Sequence, residues 1–476
     1  MLNHAPTLVV RELRCGVRPV RLRLPFRFGS VTLQACPQLF VQVVADIGTQ
    51  RASGFAAEMM VPKWFDKRGA RSHVHNVADL VDSVTRAAAA YTADQPATAF
   101  DLFERHYTAL MQAGTDAGAT ALSAAYGQSV IDRAVIDALC RAVGVSFFDA
   151  VRGNVVGLQD TPLLPDLRGL DWSAWLTALS PLREVAARHT VGMLDALDGA
   201  VDDAQGLPVS LDAVIARYGH RYFKIKLGGQ PQSDAQRLAN VLSVLDQHAP
   251  GHHFSLDGNE QYANAQALRA LFAAMHEVPA LRRRPEALLY IEQPLARDGS
   301  FDAALPWAEA PAPLLMDEAD ATLDAFARGY CLGWHGVSSK SCKGVYKAIA
   351  NRARCDRFND PSRREGQPPR AFMSAEDLTC QAGLSVQQDL ALAALLGLSH
   401  AERNGHHYGN GFGAAPVAEQ RAFVQSHADL YGDEPPTLRI THGKLSLNSL
   451  FGPGFAHAAD PDMSSLQALT DATALV

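Results

Sequence analysis

From residue 188 onward, short apolar segments alternate with helical segments eight times, and this alternation restricts the possible folds more than any other feature. The first cycle pairs HTVGML with LDAVIARYG, and the last begins at SHAERNG, where the following helix is indistinct. Eight parallel strands joined by crossover helices form a closed (β/α)8 barrel. An open doubly wound sheet competes, but no glycine-rich phosphate loop follows its first strand. We therefore predict a (β/α)8-type barrel over residues 188–412.

Two segments inside the predicted barrel test this prediction locally. The segment DAALPWAEA, residues 302–310, predicts the fourth helix. The charged, proline-containing segment 355–370 predicts an exposed loop.

The residues before this alternation follow a different pattern. Residues 39–58 alternate around a turn and predict antiparallel strands, and helices are predicted after them, the first capped by Asn76. Residues 1–155 are therefore predicted to form an α+β unit, with 156–187 as a connecting segment. Residues 413–476 contain a hairpin-like pattern that we expect to return to the N-terminal unit.

Composition limits the kinds of molecule that this protein is expected to bind. The chain has 476 residues, a formal net charge of −7 and a pI near 6.2, so no nucleic-acid or anionic membrane surface is predicted. Its longest apolar run, Leu390 to Leu398, is too short to span a bilayer. Seven scattered cysteines without a CxxC pair favour a reducing, cytoplasmic compartment. We expect a small-molecule partner, and a homo-oligomer stays open.

Charged residues stand where the predicted strands end, which is where catalytic groups of such barrels project. Lys224 and Glu402 are six strand steps apart at about 30 residues per step, close to the roughly 31 of a 250-residue barrel. Asp257, Glu292 and Asp317 end three consecutive strands, so their carboxylates can converge. Because hard oxygen ligands suit Mg²⁺ better than zinc, we predict a magnesium site there.

Lysines accompany these carboxylates. Lys224 and Lys226 share one face of the second strand, because side chains two residues apart point the same way. Facing a dication and each other, they are expected to have lowered pKa values, since both charges disfavour the ammonium form. A neutral lysine can act as a general base. Lys340 follows the sixth strand and is expected on the opposite side of the barrel mouth.

Five segments, FKIKLGG, LDGNEQY, YIEQPLARD, LLMDEAD and SSKSCKG, resemble in order and spacing the barrel motifs of the enolase superfamily, and within it the muconate lactonizing enzyme group. The N-terminal unit, with LPFRFGS and GFAAEMMVPKWFDK, resembles that family's capping domain. The resemblance implies an α/β fold class: a (β/α)8-type barrel with an N-terminal α+β capping domain that the C-terminal tail completes.

The resemblance also implies an activity and its residues. Such enzymes remove the proton α to a carboxylate, and Mg²⁺ stabilises the enediolate that results. The implied reaction is racemisation or epimerisation, cycloisomerisation or dehydration of a small carboxylate. The implied roles are Mg²⁺ ligands (Asp257, Glu292, Asp317), an acid/base pair on the two faces of the substrate (Lys226, Lys340) and an auxiliary lysine near the substrate carboxylate (Lys224).

Some positions depart from the family pattern. The glycine pair expected after Lys340 is reduced to Gly344 and Val345, so Lys343 competes for the second acid/base role. Strand alternation favours Lys340. The mandelate racemase pattern needs an Asp on the sixth strand and a His on the seventh, and this chain supplies neither.

Candidates for substrate contact come from the last two strand ends and the capping loops: Glu402, Asp377 with Glu376 as its alternative, Arg27 and Trp64. Arg27 would hold a distal anion. Trp64, with Phe26, either lines the cavity or packs the domain interface. His406 and His407 are expected in a loop.

Two other function classes stay open. A zinc hydrolase barrel needs histidine ligands on barrel strands, yet the only HxH, His73 to His75, precedes a helix of the N-terminal unit. A non-catalytic scaffold or binding protein is disfavoured, because like charges crowded in a mouth are costly without a ligand.

Overall fold

The computed structural model describes residues 5–199, 202–361 and 370–476. Its N-terminal part is an antiparallel sheet with helices packed against it. The strands are β1 (Leu8–Phe28), β2 (Val31–Ile47) and β3 (Gln50–Met59), and the helices are α1 (His73–Thr92), α2 (Ala99–Asp116), α3 (Ala121–Val143) and α4 (Phe147–Arg152). The antiparallel strands predicted over residues 39–58 are confirmed, since Ile47 pairs with Gln50 across the turn.

Two local features of this unit differ from prediction. The 21-residue β1 has no clear sequence signal, because Gly16, Pro19 and Pro25 interrupt its alternation. Helix α1 is capped by Ser72, whose hydroxyl accepts from the backbone N–H of His75. Asn76 is instead buried in the first turn and accepts the backbone N–H of Lys63 at 2.7 Å, so the predicted cap at Asn76 is wrong.

Helix α3 lies directly on the sheet. A Cβ added at Gly54 would stand 2.1 Å from the carbonyl oxygen of Ala134, so only glycine permits this approach. The helix is buried along nearly its whole length, because it also contacts α1, α2 and the segment after the sixth barrel strand. It therefore links the capping unit to the barrel.

Eight parallel strands form the barrel, which closes where Glu402 pairs with Arg188. The strands are β4 (Glu184–Val191), β5 (Tyr222–Lys226), β6 (His253–Asp257), β7 (Leu288–Glu292), β8 (Leu314–Met316), β9 (Trp334–Ser339), β10 (Phe372–Ala375) and β11 (His400–Arg403). The helix before them is α5 (Trp172–Ala178), and those between and after them are α6 (Leu211–Tyr218), α7 (Pro231–His248), α8 (Ala265–His276), α9 (Pro279–Arg283), α10 (Ala325–Tyr330), α11 (Val345–Asn359), α12 (Leu384–Leu395), α13 (Gly405–Tyr408) and α14 (Val417–Ser426). The predicted fold class is confirmed.

Two barrel segments are corrected. Residues 302–310 form no α-helix: one short 3-10 turn occurs, at Trp307–Glu309, because prolines at 306, 311 and 313 interrupt the segment. The predicted loop at 355–370 begins later than expected, since α11 continues to Asn359 and buries Cys355. Residues 362–369 of that predicted loop lie outside the described residues.

The C-terminal segment joins both units. Strand β12 (Lys444–Ser446) pairs antiparallel with β4 of the barrel, and β13 (Gln467–Ala468) pairs antiparallel with β1 at Gly16 and Val17. The tail thus completes the N-terminal sheet, while the predicted domain boundaries themselves remain predictions. One continuous apolar core runs from the N-terminal sheet to helices α11 and α12. Of the helices that the structure describes, none combines the length and apolarity of a membrane span.

Candidate active site

Both lysines of β5 point into the barrel. Lys224 and Lys226 alternate with Ile225, which belongs to the apolar layer under the helices, so the two ammonium groups lie on the lumen side. They are only 1% and 4% exposed. In the strand register Lys226 stands beside Asp257, and Asp257 stands beside Glu292.

The three predicted metal ligands lie at the same edge of the barrel. Asp257 and Glu292 end β6 and β7, Asp317 follows β8 directly, and all three are fully buried. Lys224 Nζ lies 2.8 Å from Asp257 Oδ2 and 2.8 Å from Glu292 Oε2. Asp317 Oδ2 accepts a 2.7 Å hydrogen bond from Lys340. Each predicted ligand is therefore engaged by an ammonium group.

Lys224 is the centre of a larger buried charge network. Its Nζ also lies 3.0 Å from a carboxylate oxygen of Glu376 and 3.0 Å from one of Glu402. Glu376 in turn accepts hydrogen bonds from Arg188 at 2.5 Å and from the hydroxyl of Tyr290 at 2.7 Å. The network thus continues from the barrel mouth down into the lumen.

Lys226 and Lys340 face the site from opposite sides, because β5 and β9 are four strands apart in an eight-stranded barrel. Lys226 donates to Asp257 Oδ2 at 2.6 Å, and its Nζ lies 5.6 Å from the ring centroid of Phe26. Lys340 Nζ lies 4.4 Å from the ring centroid of Trp64. Both rings belong to the N-terminal unit, so each lysine lies between a barrel carboxylate and an aromatic ring of that unit.

The pKa values of these lysines follow their carboxylate neighbours. Burial by itself lowers the pKa of Lys224, but the charges of Asp257 and Glu292 raise it well above its usual value. Asp317 likewise raises the pKa of Lys340 against the effect of burial. For Lys224 the expected lowering of the pKa is therefore not produced by the protein's own groups. That expectation assumed a dication, whereas the groups nearest each amine are anionic.

The carboxylates divide into two kinds. Burial opposes ionisation, yet Lys224 and Lys226 lower the pKa of Asp257, and Lys340 and Lys343 lower that of Asp317. Lys224, Lys226 and Lys340 lower the pKa of Glu402 in the same way. Glu292 behaves differently: burial and the charges of Asp257 and Glu376 raise its pKa well above its usual value.

The donor chemistry of these residues suits a divalent cation, although the carboxylate oxygens of Asp257, Glu292 and Asp317 do not all lie within 4.8 Å of one another. Oε2 of Glu292 is buried, lies 2.8 Å from Lys224 Nζ and receives no hydrogen bond of suitable angle. Among the described residues of this network, five carboxylates meet five cationic groups: Asp257, Glu292, Asp317, Glu376 and Glu402 against Lys224, Lys226, Lys340, Lys343 and Arg188. An all-oxygen carboxylate set is the chemistry that Mg²⁺ prefers.

Lys343 occupies a supporting position. Its Nζ donates to Ser338 Oγ at 2.6 Å and to Asp320 at 2.9 Å, and Ser338 Oγ donates to Asp317 at 2.5 Å. Lys340, unlike Lys343, lines the cavity between the barrel and the N-terminal unit. The structure therefore brings Lys340 to the site and places Lys343 behind Asp317.

The predicted substrate contacts separate into two groups. Glu402, Asp377 and Trp64 line the cavity, together with Phe26 and Phe28. Glu402 accepts from Thr190 at 2.6 Å as well as from Lys224. Asp377 is engaged by Arg403 at 3.3 Å, so Glu376, its predicted alternative, is the residue that joins the charge network.

Arg27 does not reach the cavity. Its side chain is exposed, because strand alternation directs it away from the face that carries Phe26 and Phe28. The sequence-based role of Arg27 as holder of a distal anion therefore has no support in this arrangement.

Two asparagines that the sequence did not single out also line the cavity. Asn259 follows β6 and Asn404 follows β11, and the side-chain oxygen of each is buried without a hydrogen-bond donor. Such groups are available to a ligand. Their only sequence signal is their position directly after a strand end.

Histidines lie elsewhere. His73 and His75 begin helix α1, where the His75 ring contacts the capping hydroxyl of Ser72 at 2.9 Å. Among the described residues, one group of three potential ligand side chains has its donor atoms all within 4.8 Å of one another: His189, His220 and His406. His406 and His407 are buried on α13 rather than placed in a loop, because this short helix packs against the barrel.

Comparisons with known proteins agree with this architecture. Residues 207–359 match the family model described as enolase C-terminal domain-like. No curated protein sequence matches the chain. Muconate lactonizing enzyme from Mycobacterium smegmatis, complexed with muconolactone, superposes with a TM-score of 0.61 at 16% identity, over 95% of this chain and 98% of that one.

Two further structures show the same similarity. An enolase from Bradyrhizobium, complexed with magnesium and mandelic acid, gives a TM-score of 0.59 at 16% identity, covering 97% of each chain. A 2-chloromuconate cycloisomerase from Rhodococcus opacus 1CP gives 0.58 at 16% identity, over 96% of this chain and 98% of that one. The chain therefore has the capped-barrel fold of the enolase superfamily, its barrel segment matches that family's C-terminal domain, and muconate lactonizing enzymes are among its structural neighbours.

Proposed function

We propose that the protein is a Mg²⁺-dependent enzyme that removes the proton α to the carboxylate of a small acid, through an enediolate, as a racemase or epimerase, a cycloisomerase or a dehydratase. One observation carries the proposal: Lys226 and Lys340 face the same buried carboxylate cluster from opposite sides of the barrel. A substrate carbon between them would meet an amine on either face. The similarity to enolase-superfamily structures supports this kind of chemistry.

Asp257, Glu292 and Asp317 would hold the metal. Bound Mg²⁺ supplies Lewis-acid stabilisation of the negative charge that develops on the substrate carboxylate. The all-carboxylate donor set, and the position of Glu292 beside the like charges of Asp257 and Glu376 with Lys224 as its cationic partner, support this assignment.

The two lysines would have different roles in proton transfer. The carboxylate of Asp317 raises the pKa of Lys340, so this residue is held as an ammonium that suits proton donation. Lys226 must be an unprotonated amine to accept the α proton. Lys226 donates a 2.6 Å hydrogen bond to Asp257, so this contact must break before its nitrogen can turn to a substrate carbon.

The N-terminal unit would exclude water and set the size of the substrate. Phe26, Phe28 and Trp64 line the cavity above the two amines and are each at most 5% exposed. Water exclusion strengthens the electrostatic interactions inside such a site. Asn259 and Asn404 offer free acceptors for substrate hydroxyl or amide groups.

Two alternatives are weaker. A non-catalytic scaffold without a ligand is disfavoured by the crowding of like charge around Glu292, which a bound cation would relieve. A binding protein is disfavoured by the two lysines that face the site from opposite sides. A zinc hydrolase is disfavoured because the histidine group stands outside the lumen, away from the carboxylates. Three further predictions accompany the main proposal: a small-molecule carboxylate substrate, a cytoplasmic location consistent with seven unpaired cysteines, and a homo-oligomer.

The test is exchange of the α proton in deuterated water. Acid sugars and N-acyl amino acids are incubated with Mg²⁺ and the wild-type chain, and deuterium incorporation is followed by NMR. In Lys226→Ala we expect the exchange rate on an active acid to fall by about 10²- to 10⁴-fold. Lys444→Ala, at an exposed lysine paired with Glu184, is the matched control and should retain full exchange. Undiminished exchange in Lys226→Ala would overturn the proposal.

A further inference from the structure

A second cluster of titratable side chains lies on the outer side of the barrel wall. His189 is on β4 between Arg188 and Thr190, which bond to groups in the lumen, so the His189 ring points outward. His220 precedes β5, and His406 lies on α13. The three residues are at most 2% exposed.

The rings form a nearly equilateral triangle. Their centroids are separated by 5.3 Å (His189 to His220), 5.4 Å (His189 to His406) and 5.1 Å (His220 to His406). His189 Nδ1 and His406 Nε2 are 3.3 Å apart. Two imidazole nitrogens bound to one tetrahedral ion at about 2.0–2.1 Å lie roughly 3.3–3.4 Å apart. The observed separation matches this value.

The hydrogen bonds of His220 leave one of its nitrogen lone pairs free. His220 Nδ1 lies 2.9 Å from the carbonyl oxygen of Ala187, so Nδ1 must be the donor. His220 Nε2 is then an acceptor, and it is buried without any partner. A histidine whose second nitrogen donates to a backbone carbonyl is the usual arrangement of a metal ligand, because that bond fixes the tautomer and ring orientation.

The protonation state also suits a metal. Burial lowers the pKa of His220 to about 4 and lowers those of His189 and His406 well below 6.5. All three rings are therefore neutral near pH 7, as metal ligation requires. Two charged groups lie near the histidine rings. The guanidinium of Arg23 is paired with Asp203 at 2.5 Å, and the carboxylate of Asp195 lies 3.9 Å from the neighbouring His407.

We propose that His189, His220 and His406 form a buried binding site for a borderline divalent cation such as Zn²⁺, separate from the Mg²⁺ site. Three imidazole nitrogens select metals of this type and disfavour Mg²⁺. The ion fixes α13 against β4 and β5. Tyr408, at the end of α13, contacts the ring of Phe26 at a centroid distance of 4.4 Å, so the site supports the aromatic wall of the active-site cavity.

The test uses the full-length untagged chain, stripped with chelator and saturated with Mg²⁺, to which Co²⁺ is added as a spectroscopic probe. We expect one equivalent of Co²⁺ to give the intense visible bands of a nitrogen-rich, four-coordinate site. Zn²⁺ should abolish these bands, whereas excess Mg²⁺ should not. Failure of the wild-type chain to show them would overturn the proposal.

Variants locate the site. His220→Gln and His406→Gln should each lose the visible bands. His252→Gln is the matched control, because His252 is also buried, also precedes a barrel strand, and its Nδ1 also faces a carbonyl, that of Ala249 at 3.2 Å. It should keep the bands. Bands that persist in a folded His406→Gln chain would overturn the assignment.

Two measurements keep this test independent of folding and of the proposed reaction. Zn²⁺ should raise the melting temperature of the Mg²⁺-saturated wild-type chain, and an unchanged melting temperature would count against the site even if the variants do not fold. Asp257→Asn should retain the Co²⁺ bands, because the histidine site does not use the barrel mouth. Loss of the bands in Asp257→Asn would assign them to the carboxylates and overturn the proposal.

Discussion

Glu58 and Glu292 are both fully buried carboxylates, but the protein surrounds them differently. Glu58 lies at the interface between the capping unit and the barrel. Its Oε1 accepts from the backbone N–H of Met59 at 3.0 Å, and its Oε2 accepts from Arg133 at 3.0 Å and Ser341 at 2.9 Å. Among the described residues, Glu292 is bonded by Lys224 alone, which donates to Oε1 at 2.9 Å and lies 2.8 Å from Oε2.

A third buried carboxylate shows another solution. Asp132 on α3 has no cation bonded to it and accepts one hydrogen bond, from the hydroxyl of Tyr91 at 2.6 Å. Burial raises its pKa to about 8, so it is neutral near pH 7. The three carboxylates therefore differ in role. Glu58, with all its hydrogen bonds made, stabilises the fold, and Asp132, without a cation, keeps its proton. Glu292, which has few partners and lies among other carboxylates, identifies a candidate binding site.

The largest expected effect is the loss of stability when Arg133, the cation that pairs with Glu58, is replaced. Arg133→Met removes the cation facing Glu58, whose pKa burial already raises, and leaves that carboxylate unpaired. We expect the free energy of unfolding to fall by about 3–5 kcal/mol. Urea denaturation measures the change. Glu58→Gln combined with Arg133→Met should recover part of it, and a neutral effect of the single change would break the distinction drawn between the two sites.

Cation binding should stabilise the site around Glu292. At a Mg²⁺ concentration of a hundred times Kd, the free energy of unfolding should rise by about 2.7 kcal/mol relative to chelator-treated protein. Thermal denaturation with and without Mg²⁺ provides the measurement. Asp257→Asn should abolish the increase, whereas Asp195→Asn, an acid outside the barrel lumen near His407, should not. Absence of any Mg²⁺ effect on the wild-type chain would contradict the assignment.

The buried carboxyl group of Asp132 should make the free energy of unfolding depend on pH. Folded Asp132 keeps its proton to about pH 8, whereas the unfolded carboxyl releases it near pH 3.8. Its contribution to stability is therefore fully present below pH 3.8 and is lost as pH rises through 8. Asp132→Asn should resemble the wild type near pH 3.8, and its relative stability should rise by about 1.4 kcal/mol for each pH unit up to about pH 8. Equal pH slopes in the two chains would show that Asp132 is ionised when folded.

The smallest expected change in stability is that of Glu292→Gln, which separates a role in metal binding from a role in folding. Glu292→Gln removes one charge from a repulsive set that includes Asp257 and Glu376. We expect the unfolding free energy to be unchanged or to rise by about 1 kcal/mol, while Mg²⁺ binding is lost. Calorimetry and urea denaturation on the same sample measure both. A loss of stability as large as that of Arg133→Met would mean that Glu292 holds structure.

Local sequence pattern predicts the barrel and the positions of its charged strand ends, because periodicity and strand-end spacing are short-range properties. Asp257, Glu292 and Asp317 indeed lie at one edge of the barrel, although what binds them remains a proposal. The fourth helix fails because prolines break it, and β1 is missed because its alternation is irregular. The direction of Arg27 follows from its alternation with Phe26 and Phe28 on β1, a local signal that the prediction of an anion-binding role overlooked.

The histidine group was beyond local prediction for a different reason. His189 and His406 are 217 positions apart and meet only because β11 closes onto β4. Single histidines at loop-like positions carry no signal of their own. The same holds for Glu376 and Asp377, adjacent residues whose roles differ because one side chain points into the lumen and the other faces Arg403.

The closure of β11 onto β4 also bears on how the polypeptide is made. Strand β4 pairs with both β5 and β11, so during synthesis one of its edges lacks its partner until the ribosome has translated past residue 403. An open strand edge invites pairing with other chains. We therefore expect the nascent protein to depend on chaperones until the last barrel strand has been synthesised. Strand β12, which also pairs with β4, is synthesised later still.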